Sequence, residues 1–531
     1  MKGLSGFSAA ALAAFILAAA VIPAKAEEFR GVCYEVFVYS FYDSDGDGTG
    51  DLNGLTQKLD YINDGDPETK DDLGCAGIWT MPVFPSPTYH KYDVTDYMDI
   101  DPVYGTMSDF EHYLDECHKR GIKVILDLPI NHTSSEHPWF LQAKDYLLSL
   151  PEGQEPSDTE CRYADYYNFS REQKNGYAPL DDSGWYYEAQ FWEGMPDLNL
   201  SDKNVRDEIR EIVSFWLGKG VDGFRLDAVT SYYTGDKNAN MLFLSWLVQT
   251  VKKINPDAYL VGEAWTDQKS YAALYQSGID SLFDFTFSGA DGMITGTVRG
   301  SKKALTYAKA LESEEELYAS VRPSAVNAPF YTNHDMARSA GYYAWDDGSR
   351  IKLAGALNLL GTGNAFLYYG EELGMTGSGR DENKRAPMYW SADPGAEGMC
   401  IGPPEMEDLT MLFPSLEEQA EDPLSIFQYF RKAIQIRNSL PALAEGRTHV
   451  IGELSGREVC VFTRSSKDDS LADVTVAVNT SAEKQTVDLS AASVSGLRLY
   501  ESLETSAEKV VLMEDTLILP PFSAAFLMEN V

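Results

Sequence analysis

Between residues 30 and 430, short apolar, β-rich runs alternate with helical patterns, and few folds accept that rhythm. The runs are Gly31–Tyr39, Ala76–Met81, Lys123–Leu128, Gly223–Asp227, Tyr259–Gly262, Ser281–Phe285, Pro329–Thr332 and Ala365–Tyr368. Amphipathic spacing marks helices between them, among them Met107–Arg120, Asn204–Gly220 and Asn238–Ile254. Lys123–Leu128 reads Lys-Val-Ile-Leu-Asp-Leu, mostly apolar, as in a parallel strand covered on both faces. Eight such units predict an α/β chain closed into a (β/α)8 TIM barrel rather than an open doubly wound sheet.

Two stretches break the rhythm. About 90 residues separate the third strand, ending near Pro129, from the fourth, too many for one connecting helix. Residues 131–200, rich in Tyr, Trp, Asp and Gly, read as an inserted subdomain B over the barrel mouth, leaving 27–130 and 201–440 as the barrel. After Ala442 the pattern turns to alternating strands with turn signals: Val459–Arg464, Asp473–Asn479, Lys484–Leu489, Leu497–Tyr500, Thr516–Leu519 and Ala524–Leu527. Residues 441–531 are therefore expected to form an all-β terminal domain, a β-sandwich.

The amino terminus bears on compartment. Lys2, the apolar run Ala9–Ile22 and the small residues of Ala24-Lys25-Ala26 have the layout of a cleaved signal peptide over residues 1–26. The run is short for a membrane span, and no later stretch reaches 18 apolar residues. A secreted mature protein starting near Glu27, without a membrane span and monomeric, is expected. The formal net charge of −39 argues against nucleic acid and anionic membranes as partners. It suits an enzyme acting on a neutral substrate. Six scattered cysteines fit neither a CxxC metal site nor a small disulfide scaffold, and their spacing fixes no pairing.

In such a barrel, functional side chains stand at the carboxyl ends of the strands. The third strand ends Asp127-Leu-Pro-Ile-Asn131-His132, the fourth Arg225-Leu-Asp227-Ala228, the fifth Glu263-Ala-Trp265, and the seventh Asn333-His334-Asp335. Three carboxylates (Asp227, Glu263, Asp335), two histidines and an arginine thus converge on one mouth. Glycosidic cleavage needs one carboxylic acid to protonate the leaving oxygen and a second carboxylate at the anomeric carbon. Arg225 precedes Asp227 by two, so both point the same way from a strand, and its guanidinium would keep a nucleophile ionised. Glu263 would have to rest protonated, which burial and neighbouring carboxylates favour. Any one of these residues alone would be unremarkable barrel structure; four strand ends together are not.

These four segments resemble the signature regions of the α-amylase family of glycoside hydrolases, and the resemblance runs over nearly the whole mature chain. It implies Asp227 as nucleophile, Glu263 as general acid/base and Asp335 as the third, transition-state-stabilising carboxylate, with Arg225, His132 and His334 as subsite partners. Tyr89-His90-Lys91-Tyr92 resembles the segment whose Tyr stacks on the sugar, which adds Tyr92 and His90 as substrate-binding residues. Met195-Pro-Asp197-Leu-Asn199 is similar to the fifth segment of members intermediate between oligo-1,6-glucosidases and neopullulanases. Ala228 is the small residue that follows the nucleophile in enzymes cutting α-1,4 bonds. Thr230 and Ser231 depart from the Lys-His of many α-amylases, which puts the usual plus-side contact and one backbone calcium ligand in question.

Asp43-Ser-Asp45-Gly-Asp47-Gly-Thr49-Gly-Asp51 alternates carboxylates with glycine, a layout that wraps oxygen ligands around a hard cation. Gly54 at the twelfth position excludes a true EF-hand. The segment resembles the calcium loop of oligo-1,6-glucosidase-like relatives, implying Ca2+ held by Asp43, Asp45, Asp47, the Thr49 carbonyl and Asp51. An acidic turn without metal, or Asn131 serving the older α-amylase calcium site, are the alternatives. The resemblance implies hydrolysis of α-1,4 bonds in starch-type glucans or maltooligosaccharides. Exo-acting α-glucosidase, glucanotransferase and non-catalytic glucan-binding protein stand as the competing readings.

Overall fold

A computed structural model describes residues 29–529 except 152, 344–345, 467–470, 493 and 495. The expected signal segment, 1–26, lies outside the described residues. Eight parallel strands form the centre: β1 (Val32–Val36), β2 (Gly77–Thr80), β3 (Lys123–Leu128), β4 (Gly223–Leu226), β5 (Tyr259–Gly262), β6 (Ser281–Phe283), β7 (Val326–Ala328) and β8 (Ala365–Tyr368). They pair in chain order from β1 to β7, with β8 beside β1, and a Phe330–Phe366 bridge closes the ring. The chain is thus a (β/α)8 barrel.

The expected seventh strand, Pro329–Thr332, is three residues late. Pairing with β6 runs through Val326–Ala328, whereas Pro329 faces the other side, where its carbonyl accepts from Phe366 of β8 at 2.8 Å.

Period-two alternation sorts each strand between two cores. Cys33, Trp79, Ile125, Tyr259, Val261, Phe283, Ala328, Phe330 and Phe366 pack inside the barrel. Alternate residues such as Tyr34, Ile78, Leu126, Phe224 and Leu260 join the large core under the helices. Further along the inward rows the residues turn charged: Glu35, Asp127, Arg225. The barrel is apolar low down and ionic at its mouth, and that gradient places the site.

The helices begin where their caps dictate. Thr106 and Asp109 form a capping box before Met107–Lys119, and Asp202 and Asp236 cap Lys203–Lys219 and Lys237–Ile254. Within 131–200, a helix at Pro138–Ser149 and a three-stranded antiparallel sheet (Phe169–Ser170, Tyr177–Pro179, Tyr186–Glu188) rise over the mouth. Beyond the barrel lie an antiparallel five-stranded sheet and a three-stranded one, including two strands not foreseen, Arg447–Val450 and Val511–Met513. Arg464 joins this region to the barrel through Glu315 on the helix Ala304–Val321.

Candidate active site

At the barrel mouth a cleft of about 470 Å³ is lined by Asp227, Glu263 and Asp335 together with His90, Tyr92 and His132. Its floor is organised by one arginine. Arg225, wholly buried on β4, donates from Nη1 to Asp227 at 2.5 Å and from Nη2 to Glu263 at 2.7 Å. The same Nη1 reaches Asp127 on β3 at 3.1 Å. One guanidinium faces three carboxylates, and its pull on them is opposed by burial, which disfavours their charged forms.

Burial pushes Glu263 up to about 7 against the pull of Arg225, and repulsion from Asp227 and Asp335 adds to the rise. Asp127 rises to about 6, again chiefly through burial. Glu263 also accepts the Ala228 N–H at 3.2 Å. Ala228 reaches it from a left-handed conformation, φ 41°, which a β-branched residue would tolerate poorly.

Asp335 is held differently. Its carboxylate meets His334 Nε2 at 3.2 Å and Arg385 Nη2 at 3.0 Å, and its side chain stays 36% exposed to the cleft. Burial opposes its charge, but His334 and Arg385 outweigh that and keep it well below the usual carboxylate range. His334 is backed at Nδ1 by Glu35 on β1, 2.7 Å away. Asp335 and Glu35 raise it to about 9 although burial acts the other way. Tyr92 OH lies 2.8 Å from His334 Nε2 and donates to Asp127 at 3.0 Å.

Burial lowers both cleft histidines. His90 falls to about 3, with Arg385 adding to the effect, and His132 falls below its ordinary value. Both are neutral donors or acceptors for hydroxyl groups.

Arg225 and His334, expected as subsite partners, are buried at the cleft floor, where Arg225 Nη1 and Nη2 and both His334 ring nitrogens meet protein carboxylates. They position Asp227, Glu263 and Asp335. Asn131 donates Nδ2 to the Asp227 carbonyl at 2.8 Å, tying β3's end to β4's.

Several contributors were not foreseen. Asp127 and Glu35 announce themselves only as acids on inward rows of otherwise apolar strands. Trp79, donating Nε1 to Asp127 at 3.1 Å, reads as core. Arg385 carries no local signal, because it meets Asp335 across 50 residues of chain.

In the loop after β1, single carboxylate oxygens of Asp43, Asp45 and Asp51 come within 4.8 Å of one another. Oxygens sharing one calcium at about 2.3–2.6 Å stand no farther apart than about 5 Å, so these three fit such an ion. No Lys or Arg pairs with them among the described residues. Asp47 lies outside that cluster, accepting the Thr49 N–H at 2.7 Å, and Asp51 also caps the helix Leu52–Gln57.

Comparison with known proteins gives a consistent result. Residues 35–446 match the family model described as alpha amylase, catalytic domain. Alpha-amylase 3 of Dictyoglomus thermophilum is 38% identical over 83% of this chain and 83% of its own. Oligo-1,6-glucosidase of Parageobacillus thermoglucosidasius is 28% identical over 84% of this chain and 89% of its own. Among solved structures, Eubacterium rectale Amy13B superposes with a TM-score of 0.90 at 48% identity, covering 95% of this chain and 98% of that one.

Proposed function

The chain belongs to the alpha-amylase family of glycoside hydrolases, and on that premise we propose that it cleaves α-1,4-glucosidic bonds of starch-type glucans by double displacement. The observation that carries this reading is the shared guanidinium. Arg225 draws Asp227 and Glu263 to two nitrogens of one planar group. That favours the spacing of about 5 Å used by retaining enzymes over the 6.5–9.5 Å that seats a water between the carboxylates.

In the first step Asp227 attacks the anomeric carbon while Glu263 gives its proton to the departing oxygen. In the second, Glu263, now a carboxylate, takes a proton from the water that displaces Asp227. Asp335, anchored by His334 and Arg385, accepts from sugar hydroxyls, with Tyr92, His90 and His132 around the same ring. The small Ala228 beside the nucleophile supports the α-1,4 preference. Proton NMR of soluble starch digested by the protein is expected to show α-configured reducing ends first, mutarotating later. Initial β-product would defeat the mechanism, and no reducing ends from any α-glucan would defeat the substrate class.

The loop at Asp43, Asp45 and Asp51 is proposed to hold Ca2+, with Asp47 and the Thr49 carbonyl as additional ligands. A bound divalent cation there would offset the acidic charge and fix the loop on which the helix Leu52–Gln57 starts. Calcium at about 100 times its Kd is expected to raise the melting midpoint by about 3 °C over the chelated protein. Equal midpoints with calcium and with chelator, or a shift that persists in an Asp43→Ala/Asp45→Ala variant, would remove the metal from this loop. Export with loss of residues 1–26 is part of the same proposal, supported by the composition of that segment.

A further inference from the structure

Glu35, on β1, is a carboxylate sealed beneath the cleft. It is 1% exposed, and its Oε1 lies 2.7 Å from His334 Nδ1. Burial pushes it up, while His334 and Arg225 pull it back. A buried acid keeps its charge only where a partner holds it, and here that partner is the imidazole.

The protons on this ring follow from what surrounds it. Asp127 accepts from Arg225 Nη1 at 3.1 Å, Trp79 Nε1 at 3.1 Å and Tyr92 OH at 3.0 Å. Raised only to about 6, it remains an acceptor at neutral pH. Tyr92 has one hydroxyl proton and spends it there, so its oxygen accepts from His334 Nε2, 2.8 Å away. Asp335, 3.2 Å from the same nitrogen, accepts as well. Nε2 therefore carries a proton.

At Nδ1 the facing atom is a carboxylate oxygen, and imidazole ordinarily binds a proton more tightly than a carboxylate. The charges around the ring favour that outcome. Glu35, Asp335, Asp127 and Glu263 stand on one side of the balance. Against them are Arg385, whose Nε donates to the His334 carbonyl at 3.2 Å, and Arg225, already bonded to Asp127 and Glu263. Tyr92 and Tyr368 are both held well above their ordinary values and stay neutral. Hydrogen bonds thus run outward from an imidazolium: Nδ1–H to Glu35, Nε2–H to Tyr92 and Asp335, and Tyr92 O–H on to Asp127.

We propose that Glu35 is a positioning residue: it fixes the second proton on His334, and the imidazolium in turn aims the Tyr92 hydroxyl and anchors Asp335. Its effect on turnover rests on the α-glucan reading above; the proton on the ring does not. Gln at position 35 would keep the shape and offer Nδ1 a donor or an acceptor, but no charge. The ring would then shed a proton more readily. A bare Nε2 would face the Asp335 carboxylate and draw the Tyr92 proton away from Asp127. With His334 raised to about 9, the imidazolium is present below that value and lost as pH climbs through it. Without Glu35 the same loss comes at lower pH.

Neutron diffraction from deuterium-exchanged crystals of the parent near neutral pH is expected to show deuterium on both His334 nitrogens. The Tyr92 deuteron should point to Asp127. A ring with a single deuterium would overturn the assignment. In kinetics α-glucosyl fluoride isolates the effect, because fluoride departs without a proton from Glu263. On this donor the alkaline fall of kcat/KM is expected about one pH unit or more lower in Glu35→Gln than in the parent. Glu35→Gln is also expected to lower kcat/KM about tenfold in the parent, and to add no cost in a His334→Gln background. A fall at the same pH in both proteins, or the same cost in both backgrounds, would overturn the proposal. A parent inert on every α-glucosyl donor would refute the α-glucan reading, and the deuterium positions would still decide this one.

Discussion

Asp227→Asn is expected to lower turnover of starch by about 10⁴-fold or more, the scale on which losing a covalent nucleophile acts in other hydrolases. The amide keeps the shape of the carboxylate and an oxygen for Arg225 but cannot form the glycosyl ester. Glucan binding should therefore stay within a few-fold of the parent, measured by calorimetry with maltoheptaose alongside kcat on starch. The substitution also removes one of the charges that raise Glu263, so the acid's pKa should move down. Turnover within tenfold of the parent would dismiss Asp227 as nucleophile.

Glu263→Gln is expected to cost about 10²–10⁴-fold in kcat/KM, the usual range for a general acid. Its distinguishing signature is in pH. With Glu263 raised to about 7 by burial, the parent's working form is present below that value and is lost as pH climbs through it. The kcat/KM profile on maltooligosaccharides should thus descend on the alkaline side near 7, and that limb should vanish in Glu263→Gln. The loss should be smaller on α-glucosyl fluoride, whose leaving group departs without a proton. An alkaline limb that survives the substitution would assign it to another group, Asp127 being the nearest candidate.

Much of this molecule is legible in the order of its residues. The strand–helix rhythm is local and repeated, so it fixes the barrel without knowledge of any contact. The carboxylates proposed as catalytic are legible for the same reason: strand ends face the mouth, and Asp227 and Glu263 directly follow β4 and β5, while Asp335 stands in the loop after β7. The seventh strand shows the limit. Its apolar residues extend past Pro329, whereas the ladder with β6 runs upstream of it, over Val326–Ala328.

The roles beneath the cleft were not legible. Arg225 looks like the companion of Asp227 because it is two residues away. In space it serves Asp127 and Glu263 as well, since the register sets Asp127 opposite Arg225 and Arg225 opposite Val261. His334 looks like a hydroxyl donor until Glu35, 299 residues distant in sequence, takes its Nδ1.

The amino-acid order by itself determined the barrel, the sites of its interruptions and the acids at its mouth, because alternation, capping and strand-end position act over a few residues. Only the closed three-dimensional structure decided which acid keeps its proton and which cation is shared. Those outcomes depend on distances between segments far apart in the chain and on the exclusion of water once they meet, and neither exists before the ring of strands is complete.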